Sequence, residues 1–523
     1  MASSLLRGAA ILAIANLVTR LIGVFFRIPL QNIVGAEGLA YYQTAYPLYT
    51  LLLGLSTAGI PLAVAHFVAE CEARHDSQSA DAVFLIGLYV MAALGIFFSV
   101  LLYVLAPLYV RASDMDGALR AVRALTPALA LVPMMAAFRG YFEGHQEMGT
   151  PAISQIAEQL VRVAIGLAGA AVLLHVAGVA RASAAATFGA GAGAVASLGW
   201  LLYAFLRDRQ QRGPLLLRWE GGVAWAKRLL FYAIPISLAS LIESLMNNVD
   251  TLTVKRLLEL RGSSDALATA SFAALTGEAW PLVSVVITLA SGMAVALLPA
   301  VSAAHAVDDK EALGMQLQTA TQVTLAISIP AACGLAVLAG PLSTAFYGVD
   351  GLLAAKALRL LAFAGILAGL EVTTSAALQG MNLPRLPVRN LAVAFGVKAI
   401  GNLLLLPTLG LSGAALATLF AYGAGAVLNL RSLRQRTGFP FPLRQGVLLP
   451  VAASLVMVAA VGGVLYATMP LSGRFGALIK GLLGVLVGGA LYLVLGLWWR
   501  FLPEPLRRRL LRRRGAPGSA QSS

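Results

Sequence analysis

In the first apolar stretch Asn16, Arg20, Gly23 and Arg27 recur at helical spacing, and in the seventh Glu243, Asn247 and Asp250 do the same. An ionisable group in hydrocarbon costs roughly 2.5–3.5 kcal/mol on insertion scales, so such groups face a cavity, a partner or a substrate path. Arg20 and Arg27 are seven residues apart and share a helix face. Two guanidiniums on one face suit a diphosphate or another anion, because arginine binds phosphate bidentately and keeps its charge. The structural alternative is that Arg27 snorkels to the interface while Arg20 satisfies a carbonyl.

Other polar faces follow the same periodicity. Gln155, Glu158, Gln159 and Arg162 stand at i, i+3, i+4 and i+7, and the plain alternative is that Glu158 and Arg162 satisfy each other. Glu371, Thr374, Ser375 and Gln379 form a similar face, Glu278 lies beside Pro281, and Lys398 has Asn402 one turn on. The candidate substrate-binding residues are therefore Arg20, Arg27, Asn16, Arg162 and Lys398. The candidate gating or ion-coupling residues are Glu243, Asn247, Asp250, Glu158 and Glu371. No catalytic group is assigned. Cys71 and Cys333 stand without a CxxC or a histidine cluster, which suggests neither a metal site nor a disulfide.

Positioning such faces requires a membrane. The 523 residues are 59% hydrophobic and only 12% charged, against about 25% charged in a soluble domain; the mean hydropathy is +0.82. About fourteen helical spans of adequate length are expected, at 8–30, 42–68, 82–108, 119–142, 152–176 and 183–206, then 228–256, 268–300, 314–340, 352–379, 386–407, 412–431, 446–469 and 475–501. Segment 8–30 is too long for a signal peptide and is read as a retained span. The net charge of +15 comes largely from Lys and Arg between and after the spans. They gather in 207–228, in 431–444 and in 507–514, which places both termini in the cytoplasm and needs no nucleic acid to explain it. No GxxxxGK[ST] phosphate loop is present, so ATP hydrolysis is not expected.

The chain also repeats itself. IPLAVAHFVAE corresponds to LPAVSAAHAVDD, and FRGYFEGHQEMGTP to LQGMNLPRLP. AAATFGAGAGAV corresponds to GAALATLFAYGAGAV, and the offsets are about 240 positions. Six spans per half give a parallel repeat. The expected organisation is an N-lobe at 1–206, a basic cytoplasmic linker at 207–227, a C-lobe at 228–435, two added helices at 436–502 and a basic disordered tail at 503–523. Spans one and seven become equivalent, and the offset of 223 from Arg20 to Glu243 recurs from Arg27 to Asp250. These opposite charges are expected to pair across a central cavity, with substrate competing for the arginines. A purely structural ion pair is the plainer alternative.

TRLIGVFFR, IPLAVAHFVAE, the RGYFEG–TPAISQIAEQLVRV stretch and the LQGMNLP–GLSGAALAT stretch together resemble the polysaccharide-biosynthesis branch of the multidrug/oligosaccharidyl-lipid/polysaccharide exporter superfamily. The resemblance is to the stage V sporulation protein B group and the MurJ-like lipid II flippases, and it covers essentially the whole chain. It implies an all-α membrane fold of two six-helix lobes about a central cavity, with two C-terminal helices forming a lipid-facing groove. It implies flipping of undecaprenyl-diphosphate-linked glycan, lipid II foremost, across the cytoplasmic membrane. Arg20 and Arg27 occupy the places of the family's diphosphate-binding arginines. Further basic residues expected in spans two and eight are absent from mid-span here. The expected partners are the lipid-linked anionic glycan and the bilayer, for a monomer that cell-wall synthesis proteins could join. No cofactor is expected beyond a coupling H+ or Na+.

Four other readings stand beside this one: a flippase for a capsular, teichoic or O-antigen type precursor, a cation-coupled drug antiporter, a membrane enzyme acting on lipid-linked sugar, and a non-transporting scaffold for cell-wall synthesis, whose charged residues would tolerate neutral substitution. The antiporter would want an acidic or apolar cavity. The enzyme would want catalytic groups on a sizeable outer loop, whereas the outer loops here are short and free of histidine.

Overall fold

The computed structural model describes residues 2–57, 59–215, 222–348 and 351–501, the side chains of 2–11, 13, 223, 230, 232–240, 243 and 295 excepted. Among these residues every regular element is helical, the all-α architecture expected. Twelve stretches are long and apolar enough to cross a membrane. The expected tail at 503–523 and the centre of the expected linker, 216–221, lie outside the described residues.

Helix α1 runs Ala2–Thr57 and is not straight. Gly35 sits at φ 69°, ψ −175°, a backbone region that residues with a Cβ avoid. A straight helix would separate residues 26 and 42 by about 24 Å at 1.5 Å per residue. The rings of Phe26 and Tyr42 are instead 5.7 Å apart. The helix therefore folds back at Gly35, and the 60-residue candidate span Ile14–Ala73 contains both arms. After it come α2 (Ile60–Ala73), α3 (Ser77–Ala112), α4 (Leu119–Arg123), α5 (Thr126–Gly144), α6 (Gly149–Ala177), α7 (Val179–Arg212), α8 (Gly222–Leu260) and α9 (Asp265–Phe272). A π turn, Ala273–Ala279, leads into α10 (Trp280–Ala306). The remaining helices are α11 (Lys310–Val337), α12 (Ala339–Tyr347), α13 (Gly351–Gly380), α14 (Arg385–Leu409), α15 (Leu411–Thr437), α16 (Leu449–Ala467) and α17 (Gly473–Trp498).

Packing divides the chain into two compact units. One comprises Met1–Glu278 with Lys398–Ala414, the other Ala279–Val397 with Ala415–Ser523. These bounds differ from the 1–206 and 228–435 lobes drawn from the repeat. The physical reason is that α8, the expected seventh span, packs on α1, α2 and α3.

In the first unit an aromatic cluster joins α3, α5 and α7. The Phe84 ring lies 5.2 Å from Phe138, 4.8 Å from Tyr141 and 5.1 Å from Phe205. Arg209 closes its end by binding the Asp81 carboxylate with both terminal nitrogens and donating to the Tyr141 hydroxyl at 2.8 Å. The glycines of AAATFGAGAGAV let α7 approach α6 closely: a Cβ on Gly189 would stand 2.5 Å from the Arg162 carbonyl oxygen. Close approach over small residues is how helices gain contact where lipid supplies no hydrophobic driving force. In the second unit, α16 and α17 dock on α11, where the Tyr492 hydroxyl donates to the Ala326 carbonyl at 2.8 Å and Gln322 donates to that of Phe501 at 2.7 Å. The outward faces stay apolar: only 11% of the most apolar window of α6 is buried within the protein, as suits a helix whose solvent is hydrocarbon.

Substituting Gly189→Ala should force α6 and α7 apart at a cost of about 1–3 kcal/mol. Gly199→Ala on the same helix, where nothing lies within 4 Å of an added Cβ, should leave the thermal unfolding midpoint of the purified protein unchanged. Equal midpoints for the two variants would refute the close-packing account.

Candidate functional site

Within the first unit the first arm of α1 presents Asn16 and Arg20 exposed and Arg27 half-buried. Arg27 comes close enough to the Tyr42 phenol to act on it electrostatically, and so does Arg162 from α6. Arg162 also reaches Tyr46 and Tyr49 on the second arm. Gly23 faces α6 as well, since an added Cβ there would meet the Gln159 amide at 3.2 Å. Arg27 and Arg162, assigned from different spans, thus belong to one neighbourhood.

Glu158 organises the far side of that neighbourhood. One carboxylate oxygen accepts from Arg162 Nη2 at 2.9 Å, and the other accepts from Arg139 Nη2 at 2.9 Å. Arg139, on α5, also donates to the hydroxyls of Ser154 at 2.9 Å and Ser197 at 3.1 Å. The sequence reading missed Arg139, although it sits in the FRGYFEG motif inside an apolar run. An arginine in that setting was the signal. Its partner on α6 could not be seen without the fold.

Asp250 and Lys398, assigned to separate roles from the sequence, meet in the same unit. Lys398 Nζ lies 2.7 Å from one Asp250 oxygen, and the Asn402 amide donates to the other at 3.0 Å and to the Thr253 hydroxyl at 2.9 Å. All but a few percent of the Lys398 side chain is buried. Asp250 therefore takes Lys398 and Asn402 where the 223-residue offset anticipated Arg27. The offset fixes equivalent heights on equivalent helices. It does not fix the rotation of each helix toward its neighbours, and Arg27 lies instead toward Tyr42. The side chain of Glu243, the other half of that expectation, lies outside the described residues. Asn247 is exposed, whereas its neighbour Asn248 is buried, accepting from the Tyr109 hydroxyl at 2.8 Å and donating to the Pro47 carbonyl at 2.9 Å.

Glu371 belongs to the second unit. Its carboxylate accepts from Ser375 at 2.7 Å, Ser375 accepts from the Asn429 amide at 2.9 Å, and Asn429 accepts from Asn390 at 2.8 Å. This is a buried polar chain linking α13, α14 and α15.

A further cluster had no counterpart in the sequence reading. A cavity of about 560 Å³ is lined by Glu37, Asp114, Asp116, Lys255 and Asp265. Lys255 Nζ lies 2.7 Å from Asp265 and 3.5 Å from Glu259, and donates to the Asp114 carbonyl. Burial, together with hydrogen bonding to Asp114, pushes the Glu259 carboxyl, beyond the expected span 228–256, up to about 7.

Two measurements check these geometries. Lys398→Met should strand the Asp250 carboxylate at a cost of about 3–5 kcal/mol, whereas Lys398→Met with Asp250→Asn should recover most of the lost thermal stability; a double variant no better than the worse single one contradicts the pairing. Because folding raises the Glu259 pKa, its contribution favours the fold fully below the ordinary carboxylate range and is lost as pH rises through about 7. The drop in unfolding midpoint between pH 6 and pH 8 should therefore shrink in Glu259→Gln.

The polysaccharide biosynthesis protein family matches residues 5–305, and the MatE family matches 235–404. The chain is 30% identical, over 98% of each sequence, to a Bacillus subtilis (strain 168) protein named Lipid II flippase MurJ. It is 28% identical to the Stage V sporulation protein B of the same organism, over 79% of this chain and 80% of that one. Among solved structures, a lipid II flippase MurJ in an inward closed conformation superposes with a TM-score of 0.69 at 17% identity, covering 96% of this chain and 99% of that one. An inward-facing multidrug resistance MATE family transporter gives 0.65 at 18% identity, over 82% and 98%; both likenesses concern the fold. A family match over more than half the chain and a 30% identical relative of matching length make this multi-pass membrane protein a member of the polysaccharide biosynthesis protein family.

Proposed function

We propose that this chain flips an undecaprenyl-diphosphate-linked glycan, lipid II foremost, across the cytoplasmic membrane by alternating access, with both termini in the cytoplasm. The observation that carries the reading is the basic face of the first arm of α1. Arg20 and Arg27 lie two turns apart there, and Arg27 shares the Tyr42 neighbourhood with Arg162. A diphosphate is the lipid-linked headgroup chemistry that planar, permanently charged guanidiniums bind best. A relative of matching length supports the same class of cargo through its name, a lipid II flippase. The protein acts as a transporter, not an enzyme, and works as a monomer.

The charged head of such a lipid cannot cross hydrocarbon unaided, so the two units alternate in exposing it while the polyprenyl tail stays in lipid. An acid matched by a fixed ammonium gains little from a free cation, because coupling requires differential affinity between states. Coupling by H+ or Na+ is therefore not assigned to Asp250, which Lys398 holds. The second reading, a cation-coupled drug antiporter, is favoured by the MatE match over 235–404. The arginines disfavour a cationic cargo.

The test is lipid II accessibility at the outer leaflet of cells whose own flippase is depleted. Wild type should restore it. A normally inserted Arg20→Ala should lower it about tenfold or more, the scale of one charge-assisted contact of about 1.5–3 kcal/mol. No rescue by correctly inserted wild type would remove lipid II as the cargo, and equal rescue by both would remove Arg20 from the site.

A further inference from the structure

Glu158 holds two guanidiniums with one carboxylate, so the triad carries a net positive charge inside the membrane-spanning part of the first unit. Its two arginines are not held alike. Arg139 is fixed by three hydrogen bonds, to Ser154, Glu158 and Ser197. Arg162 gives one hydrogen bond, from Nη2 to Glu158, and its Nε is buried with no hydrogen-bond partner among the described residues. Gln155 Oε1, two turns back on the same face of α6, is buried without one as well. An arginine offers five N–H donors, and leaving buried ones unmade costs about 1–3 kcal/mol each. The side chains of Arg139, Glu158 and Arg162 are 15%, 14% and 19% exposed, so the triad is not fully sealed by the protein around it. Tyr42, Tyr46 and Tyr49 stand beside Arg162, and Arg27 acts on Tyr42.

We infer that Glu158 is an internal anion in the fork between Arg139 and Arg162, and that a phosphate group of the lipid-linked diphosphate exchanges with it. The inference rests on the anionic cargo proposed above and names a second place for that cargo's charge. Arg139 is the fixed wall of the fork and Arg162 the movable one. Glu158 engages each guanidinium through a single oxygen. A phosphate can present two oxygens to the planar edge of Arg162 and use donors that the carboxylate leaves idle. The exchange frees Glu158 without leaving either guanidinium unpaired, so each keeps an anionic partner with and without cargo.

The test is binding of undecaprenyl diphosphate to the purified full-length protein in lipid nanodiscs, with inorganic diphosphate as a second arm. Removing the internal competitor with Glu158→Gln should tighten binding of the lipid about tenfold, equivalent to about 1.4 kcal/mol. Adding Arg162→Gln should abolish that gain, and Arg162→Lys should retain part of it. If Glu158→Gln fails to fold, Glu158→Asp, which withdraws the carboxylate by one methylene, should tighten binding in the same direction by less. Unchanged or weaker binding by a folded Glu158 variant overturns the inference, as does a gain that survives Arg162→Gln. A gain with inorganic diphosphate alone overturns the lipid-linked source. Wild-type binding without the Glu158 effect sinks the exchange and leaves the anionic cargo standing. Failure of wild type and every variant to bind sinks both.

Discussion

A charge buried in hydrocarbon must find an opposite charge or a full set of hydrogen bonds, and the polar interior of this protein follows from that constraint. Lys398 and Asp250 show the charge-balanced solution: ammonium on carboxylate at 2.7 Å, with Asn402 on the remaining oxygen. The pair ties α8 to the end of α14 and so gathers the segment Lys398–Ala414 into the unit that contains the seventh span. A buried pair of this kind adds little net stability over an apolar contact, yet breaking it is severe. It specifies which helices meet more than it strengthens their meeting.

The Arg139–Glu158–Arg162 triad is the incomplete solution. It binds three helices through one carboxylate and two serines, but it carries one cation too many and leaves donors unmade. The contrast between the two clusters separates a site whose charges balance from one with a cation to spare. The glycines of α7 make the triad possible. Close approach of α7 to α6 at Gly189 and Gly193 brings the backbone beside Arg162 and Glu158, and this places Ser197 within reach of Arg139.

Charge pairing was the least legible part of the chain. The constant offset from Arg20 to Glu243 and from Arg27 to Asp250 is a true property of the sequence. It reports position along two helices and says nothing of their rotation. Lys398, 148 residues from Asp250, took the place expected for Arg27. Arg139 went unnoticed because its partner lies on another helix, whereas the Glu158–Arg162 pair was visible as an i, i+4 spacing. The Lys255 cluster was invisible for a related reason. The oxygens around Lys255 come from a backbone carbonyl in the turn after α3 and from carboxylates at the end of α8 and the start of α9.

The sequence by itself determined the class of solvent, the all-helical architecture and the residue types available for binding an anion. Those follow from composition and from periodicities of a few residues, which are local properties. Its small-residue run AAATFGAGAGAV permits a close helix contact, because only residues without bulk allow one, and the structure makes that contact at Gly189 and Gly193. Tertiary structure alone decided which charges neutralise one another and which keep unused donors. It also decided where α1 doubles back, since Gly35 permits that turn but only the contact of Phe26 with Tyr42 shows that the chain takes it. A low-dielectric interior rewards each pairing by distance and direction, and both are set by how whole helices rotate and approach rather than by any spacing along the chain.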